Sequence, residues 1–195
     1  IAIAITTIFW GCKGKNEKFI DEGIVEYTAA VVDKSSIAAS IAPSKMTIKF
    51  KNNRSLLEMS TGMGLFSTAF VSNPDDRTLT QMVKLLRKKY WLKEGSEEIK
   101  KDNDDYNIEI QPQEETKMIA GYKCKRALVH YKNNIHSDFG IYYTDELGIK
   151  DPNFANPFYQ VQGVLMEYQM RKFGLEMKFV ATAVKKETVD ENDFT

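Results

Sequence analysis

The sequence predicts a mainly β protein with a minor α component. The expected fold is a strongly curved antiparallel sheet of about eleven strands, an unclosed half-barrel with short helices plugging its concave face. Three observations lead there. Apolar and polar residues alternate with a period of two along most of the chain, as in "SKMTIKF" (44–50). Turn-forming residues such as Asn52-Asn53 and Asn73-Pro74-Asp75-Asp76 punctuate that alternation. A twisted sheet of so many strands cannot remain flat, so it curls and gathers one face into a hollow.

The first element is not a strand. Residues 1–10, "IAIAITTIFW", carry no charge, and Gly11-Cys12 and a polar stretch rich in lysine follow. A bilayer-crossing helix needs about 20 residues, so the run is too short to span. It matches the apolar middle of a secretory signal ending at a small residue. No initiator Met or charged start precedes it, so the chain is read as entering partway through that signal. Gly11-Cys12 resembles the cleavage box of bacterial lipoproteins, where the new N-terminal Cys carries the lipid. Phe9 and Trp10 are bulkier than that box usually holds. An ordinary signal with an incidental Cys, or a first strand with Ile1, Ile3 and Ile5 alternating, is the plainer reading. The expected division is a truncated signal over 1–11, a lipid-anchored tether over 12–18 and one domain over 19–195.

Only Cys12 and Cys124 are present. A thioether-bound Cys12 forms no disulfide, so Cys124 is expected as a buried small hydrophobe rather than a nucleophile.

The mature chain then reads as strands in sequence. Val25, Tyr27 and Val31 share a face near 19–31. Met46, Ile48 and Phe50 alternate with Thr47 and Lys49, and an Asn52-Asn53 turn pairs Ile48 with Leu57 and Met46 with Met59. Further strands are expected near 66–72, 77–84, 87–94, 105–112, 120–131 and 137–145. A last hairpin over 164–183 sets Met166 and Tyr168 on the face of Met177 and Phe179, about a Phe173-Gly174 turn. Two short helices interrupt the pattern, one capped by Ser36 and stopped before Pro43, one capped by Ser96. Neither is long enough to stand alone in water.

Charge and motifs exclude more than they assign. Lys and Arg total 27, as do Asp and Glu, so the excess of cations that phosphate backbones require is missing. His130 and His136 lack zinc-ligand spacing and read as exposed loop residues. "DNDDYN" (102–107) has Asn107 where a calcium loop needs Gly, and Gln113 where it needs Glu. "GMGLFS" (62–67) precedes a strand, not the helix of a phosphate loop. It reads either as a tight turn or as an adaptable apolar lip of Met63, Leu65 and Phe66.

"SKMTIKFKNNRSLLEMSTGMG", "IAGYKCKRA", "YYTDELGIKDPNFANPF" and "GVLMEYQM" together resemble a family of secreted and lipid-anchored envelope proteins of unknown function from Bacteroides-type Gram-negative bacteria. The resemblance covers roughly residues 19–190, and the final "VDENDFT" stops short of that family's usual end. Its members are similar in fold to the periplasmic lipoprotein-carrier proteins, which implies a half-barrel with an apolar cavity and no catalytic residues to transfer.

The expected function is that of a non-catalytic envelope lipoprotein binding a lipid, acyl chain or other apolar ligand. Met46, Ile48, Phe50, Leu57, Met59, Met166, Tyr168, Met177 and Phe179 would line the cavity, with Met63, Leu65 and Phe66 at its rim. We expect no cofactor, metal or nucleic-acid partner, and a monomer held to the membrane through Cys12. Lys13 after the Cys favours the outer membrane. The alternative is a protein-interaction module with a filled core. Replacing Cys12 with Ser is expected to move the protein from the membrane pellet to the soluble fraction and to abolish the acyl mass. Fractionation and intact mass spectrometry check it.

Overall fold

The computed structural model describes residues 20–33, 39, 42–61, 64, 66–133, 136–172 and 175–195. Cys12, Met63, Leu65, the Ser36-capped helix and the Phe173-Gly174 turn lie outside them. Among the described residues there are eleven strands: β1 (Glu22–Val31), β2 (Lys45–Lys51), β3 (Arg54–Ser60), β4 (Phe66–Asn73), β5 (Thr78–Leu85), β6 (Lys88–Glu94), β7 (Ile108–Ile119), β8 (Tyr122–Tyr131), β9 (Phe139–Thr144), β10 (Val164–Lys172) and β11 (Leu175–Lys185). One helix, α1 (Ser96–Asp104), joins β6 to β7.

All strands form one antiparallel sheet in the order β6-β5-β4-β3-β2-β1-β11-β10-β9-β8-β7. Every neighbour is the sequence neighbour except at the centre, where β1 meets β11. Because α1 connects the two outermost strands, the sheet is a meander that runs around the molecule without closing.

Local chemistry sets the register. Asn52 and Asn53 take φ of 49° and 61°, the left-handed pair that a two-residue hairpin needs, and Asn tolerates it better than bulkier residues. Lys51 then pairs with Arg54, Ile48 with Leu57 and Met46 with Met59, as the sequence predicts. Ala120-Gly121 makes the same kind of turn between β7 and β8, with φ of 49° and 85°. An alanine there hides the turn, so β7 runs to Ile119, well beyond the expected 112.

The cap of helix α1 lies one residue earlier than expected. Gly95, not Ser96, is the N-cap, and the Glu98 carboxylate accepts a hydrogen bond from the Gly95 amide at 3.1 Å. Ile99 packs with Leu79 and Phe154, closing one end of the concave face. Most of the remaining cover is not helical. The segment 145–163, "DELGIKDPNFANPFYQVQG", lies over the sheet as successive turns, since Pro152 and Pro157 and two asparagines deny it a helix.

That cover is tied at both ends. The Gly148 amide donates to the Ile20 carbonyl at 2.7 Å, beside the parallel bridge between Ile20 and Leu147. Asn153 is buried, and its side-chain amide donates to the carbonyls of Val161 (2.9 Å) and Gly163 (2.8 Å).

The convex face carries charge and one small apolar cluster. Val189 and Phe194, from a C-terminal strap ending in the short 3-10 helix Glu191–Phe194, pack on Leu56 and Val71. Lys49 binds Asp193 at 3.0 Å, and Arg54 pairs with Glu191 beneath the Phe194 ring. Glu167 is buried between Lys117 and Lys178, each 2.7 Å away. Burial alone would raise its pKa, but the two ammonium hydrogen bonds outweigh it and hold the carboxyl below its usual range.

Gly163 enters β10 at φ 152°, and a Cβ there would lie 2.6 Å from the Thr144 carbonyl oxygen. Gly163→Ala is expected to destabilise the fold by roughly 1–3 kcal/mol through strain at the junction of cover and sheet. A shift of the denaturant midpoint at unchanged slope checks it.

Candidate functional site

The concave face is filled on one side and hollow on the other. On the filled side a chain of rings crosses the interior. Tyr131 lies 6.2 Å from Phe139, Phe139 lies 6.4 Å from Phe158, and Phe158 lies 6.0 Å from Tyr168. Tyr168 stacks on Phe179 at 5.0 Å, and Tyr27 meets Tyr168 edge-on at 6.4 Å. Each edge-on or stacked pair contributes about 0.5–1.5 kcal/mol beyond its buried area. The Tyr27 hydroxyl donates to the Leu165 carbonyl at 2.9 Å, so this buried phenol is satisfied. Burial pushes its pKa well above the ordinary tyrosine range.

Beyond Tyr168 the interior opens into a cavity of about 350 Å³ between strands β2–β5, strands β10–β11 and the 149–156 part of the cover. Small-molecule sites run from about 300 to 1,000 Å³, so the space is large enough for a ligand. Met46, Ile48, Leu57, Met59, Phe66, Tyr168, Met177 and Phe179 all reach its wall, as their shared face predicts. Leu85 belongs to the wall and is more than half exposed, which places an opening to solvent at the β5–β6 end.

Two predicted wall residues are core instead. Phe50 has the right parity and no exposure, but it pairs with Gly23 at the end of β2. Its ring packs inside the main cluster, to which Ile20 and Leu147 of the parallel bridge also belong. Met166 is likewise fully buried and absent from the wall. A β-bulge between Leu165 and Glu167 shifts the register against β9, so Leu165 turns to the cavity and Met166 to the core.

Sequence reasoning missed the roof. Ile149, Pro152, Asn153, Ala155 and Asn156 line the cavity from the cover segment. The proline and asparagine density of "DPNFANPF" was the available signal, marking a turn-rich loop too long to be a simple connection.

No charged side chain belongs to the wall among the described residues. Its polar groups are few and mostly used. The Thr68 hydroxyl donates to the Met82 carbonyl at 3.1 Å, and the Asn153 amide is spent within the cover. Ser55 and Ser72, direct partners across β3 and β4, form the one polar step. Such a wall offers area, not charge, and an apolar cavity of this kind favours apolar guests over water.

The other chemistry-bearing residues stand away from it. Cys124 is free and fully buried on β8, and burial pushes its thiol up to about 11, so it stays protonated and unreactive. His130 is half-buried on β8, not in a loop, and its Nδ1 lies 3.0 Å from Asp138. His136 sits edge-on to Tyr131 at 4.9 Å, with Nε2 3.2 Å from Arg171. Asp102 and Asp104 of the acidic stretch belong to α1, where Asp104 pairs with Lys100 and Asn103 donates to the Phe154 carbonyl. Among the described residues no cluster of His, Cys, Asp and Glu could hold a metal ion. No helix among them is long and apolar enough to cross a membrane.

No protein-family model matches the chain, and no curated protein matches it in sequence.

Asn153 both anchors the roof and lines the cavity. Asn153→Ala is expected to cost about 1–3 kcal/mol by removing two buried hydrogen bonds at once. Amide exchange should rise across 149–161 before it rises in β1 or β11. Hydrogen exchange with mass spectrometry, alongside a denaturant melt, checks both.

Proposed function

We propose that this protein is a non-catalytic bacterial envelope lipoprotein, anchored through Cys12, whose half-barrel takes up an apolar ligand such as an acyl chain or lipid. The observation that carries the ligand reading is the cavity of about 350 Å³ walled by Met, Leu, Ile and Phe side chains inside an otherwise packed sheet. Cores are packed close to crystal density, and an unfilled space of this size forfeits contacts that larger side chains could have made. Four unbranched methionines in the wall, Met46, Met59, Met170 and Met177, can repack around guests of uneven shape. The anchor rests on the uncharged run ending at Gly11-Cys12 and on the resemblance to lipid-anchored envelope proteins.

Binding would draw on area. At roughly 25 cal/mol per Å², about 55 Å² of apolar contact corresponds to a tenfold change in affinity before ordering costs. A polar end of the guest would lie either near Ser55 and Ser72 or outside the mouth. The alternative, an interaction module with a filled core, requires the concave face to be packed throughout, and the hollow side favours the ligand.

The test is uptake of cis-parinaric acid by delipidated protein. Wild type should bind it, and Leu57→Trp, which places a larger side chain in the cavity, should weaken binding by about tenfold or more at an unchanged or higher melting temperature. No uptake of any acyl probe by wild type, or equal uptake by the filled variant, would overturn the reading.

A further inference from the structure

The β5–β6 hairpin places its exposed apolar side chains and its unpaired cations in the same ten residues, 84–93. Leu85, Leu86, Tyr90, Trp91 and Leu92 are each more than half exposed, and Trp91 reaches 76%. Only Val32, Met118 and Tyr159 join them as exposed large apolar residues among those described, and these three are scattered. Single exposed apolar residues are ordinary, whereas five on one hairpin mark an interaction site.

Charge separates the hairpin further from the rest of the molecule. Lys84, Arg87, Lys88, Lys89 and Lys93 lie in it and no acid does, while the whole chain is balanced at 27 and 27. Elsewhere Lys49, Lys51, Arg54, Lys117, Arg171 and Lys178 each face a carboxylate. The five hairpin cations have no carboxylate partner among the described residues. Lys84 and Lys89 are direct cross-strand partners, a like-charge pair that works against folding. Leu86 at the tip takes φ 55°, a left-handed conformation that costs a leucine more than it would glycine or asparagine.

Apolar groups also occupy both faces. Val83 pairs with Tyr90 on the concave face, and Met82 pairs with Trp91 on the convex one. A folded partner would cover one face of such a ribbon. A bilayer interface solvates both, seats Trp and Tyr at headgroup depth and attracts each nearby cation when its lipids are anionic. A second copy of the chain would bring five cations against five. Nucleic acid would match the charge but leave the leucines in water.

We infer that this hairpin docks the protein on a bilayer surface bearing anionic headgroups, with Leu86 and Trp91 entering the interface and the cations ringing them. Leu85 is both cavity wall and hairpin, so docking sets the cavity mouth against the lipid. The inference is independent of whether the cavity holds a guest, and of the Cys12 anchor.

Full-length Cys12→Ser protein, made without acylation, is sedimented with phosphatidylcholine vesicles and with mixed phosphatidylcholine–phosphatidylglycerol vesicles. Residues 1–11 are then common to every arm. Binding should require phosphatidylglycerol and weaken with salt. Lys88→Glu/Lys89→Glu should reduce it by roughly tenfold or more. Leu86→Asn, which suits the left-handed turn better than leucine, should also reduce it without lowering the melting temperature. In a Trp10→Phe background, lipids brominated near the headgroup should quench Trp91. Equal binding to both vesicle types, unquenched Trp91, or full binding by the double Glu variant would overturn the inference. So would sedimentation equilibrium showing that the hairpin holds a second copy instead.

Discussion

The ladder between β1 and β11 is the interaction on which everything else rests. It joins residues near the start of the described chain to residues near its end, Ile24 with Lys185 through Val31 with Met177. Each half of the sheet, β1–β6 and β7–β11, is a meander of neighbours that sequence proximity alone would assemble. Only this seam, two capping segments and α1 make them one curved surface. The cavity straddles the seam, drawing its wall from β2–β5 on one side and from β10–β11 on the other. A hollow between two meanders exists because their first and last strands pair, which costs loop-closure entropy across most of the chain.

Side-chain type decides which part of that surface is filled. Rings from β8, β9, β10 and the cover interlock through Phe158 and end where Tyr168 meets Tyr27 and Phe179. Past that point methionine, leucine and isoleucine predominate, and the roof is built from Ile149, Pro152, Ala155 and two asparagines. Around the hollow these roof residues leave a space of about 350 Å³ above the floor. The roof is held by the Asn153 hydrogen bonds to its own backbone and by Phe154 and Phe158, which pack into the interior on either side of the hollow. A cover of that kind can be present without consuming the volume beneath it.

Much of this was legible in the sequence, and the failures share a cause. Alternation plus the Asn52-Asn53 turn determines the β2–β3 register and hence the common face of Met46, Ile48, Leu57 and Met59. Local signals of that kind carry no information about what lies above a strand. Phe50 has the same parity as Ile48 but packs in the buried cluster that also holds Ile20 and Leu147, two residues far apart in sequence. Met166 leaves the wall through one inserted residue, and a bulge shifts parity without changing composition. Tyr90-Trp91-Leu92 reads as an apolar strand and is solvated because β6 lies at the sheet edge, a fact of topology. The roof has no period at all, so no periodic reading could find it.

Strand β7, at the opposite edge from the hairpin, carries its own signature. Pro112 removes a donor from the ladder, the register breaks between Gln113 and Thr116, and glutamates at 109, 114 and 115 face water. These are the devices by which natural sheets prevent another chain from adding to a free edge. At the other edge, the lysines of β6 serve the same end. An open sheet of eleven strands is an aggregation hazard twice over, and here both margins repel extension. Edge-to-edge growth, the route by which a flat, uncharged edge nucleates fibres, is thereby opposed at both margins, and the gap between β6 and β7 is not offered as a template for an added strand.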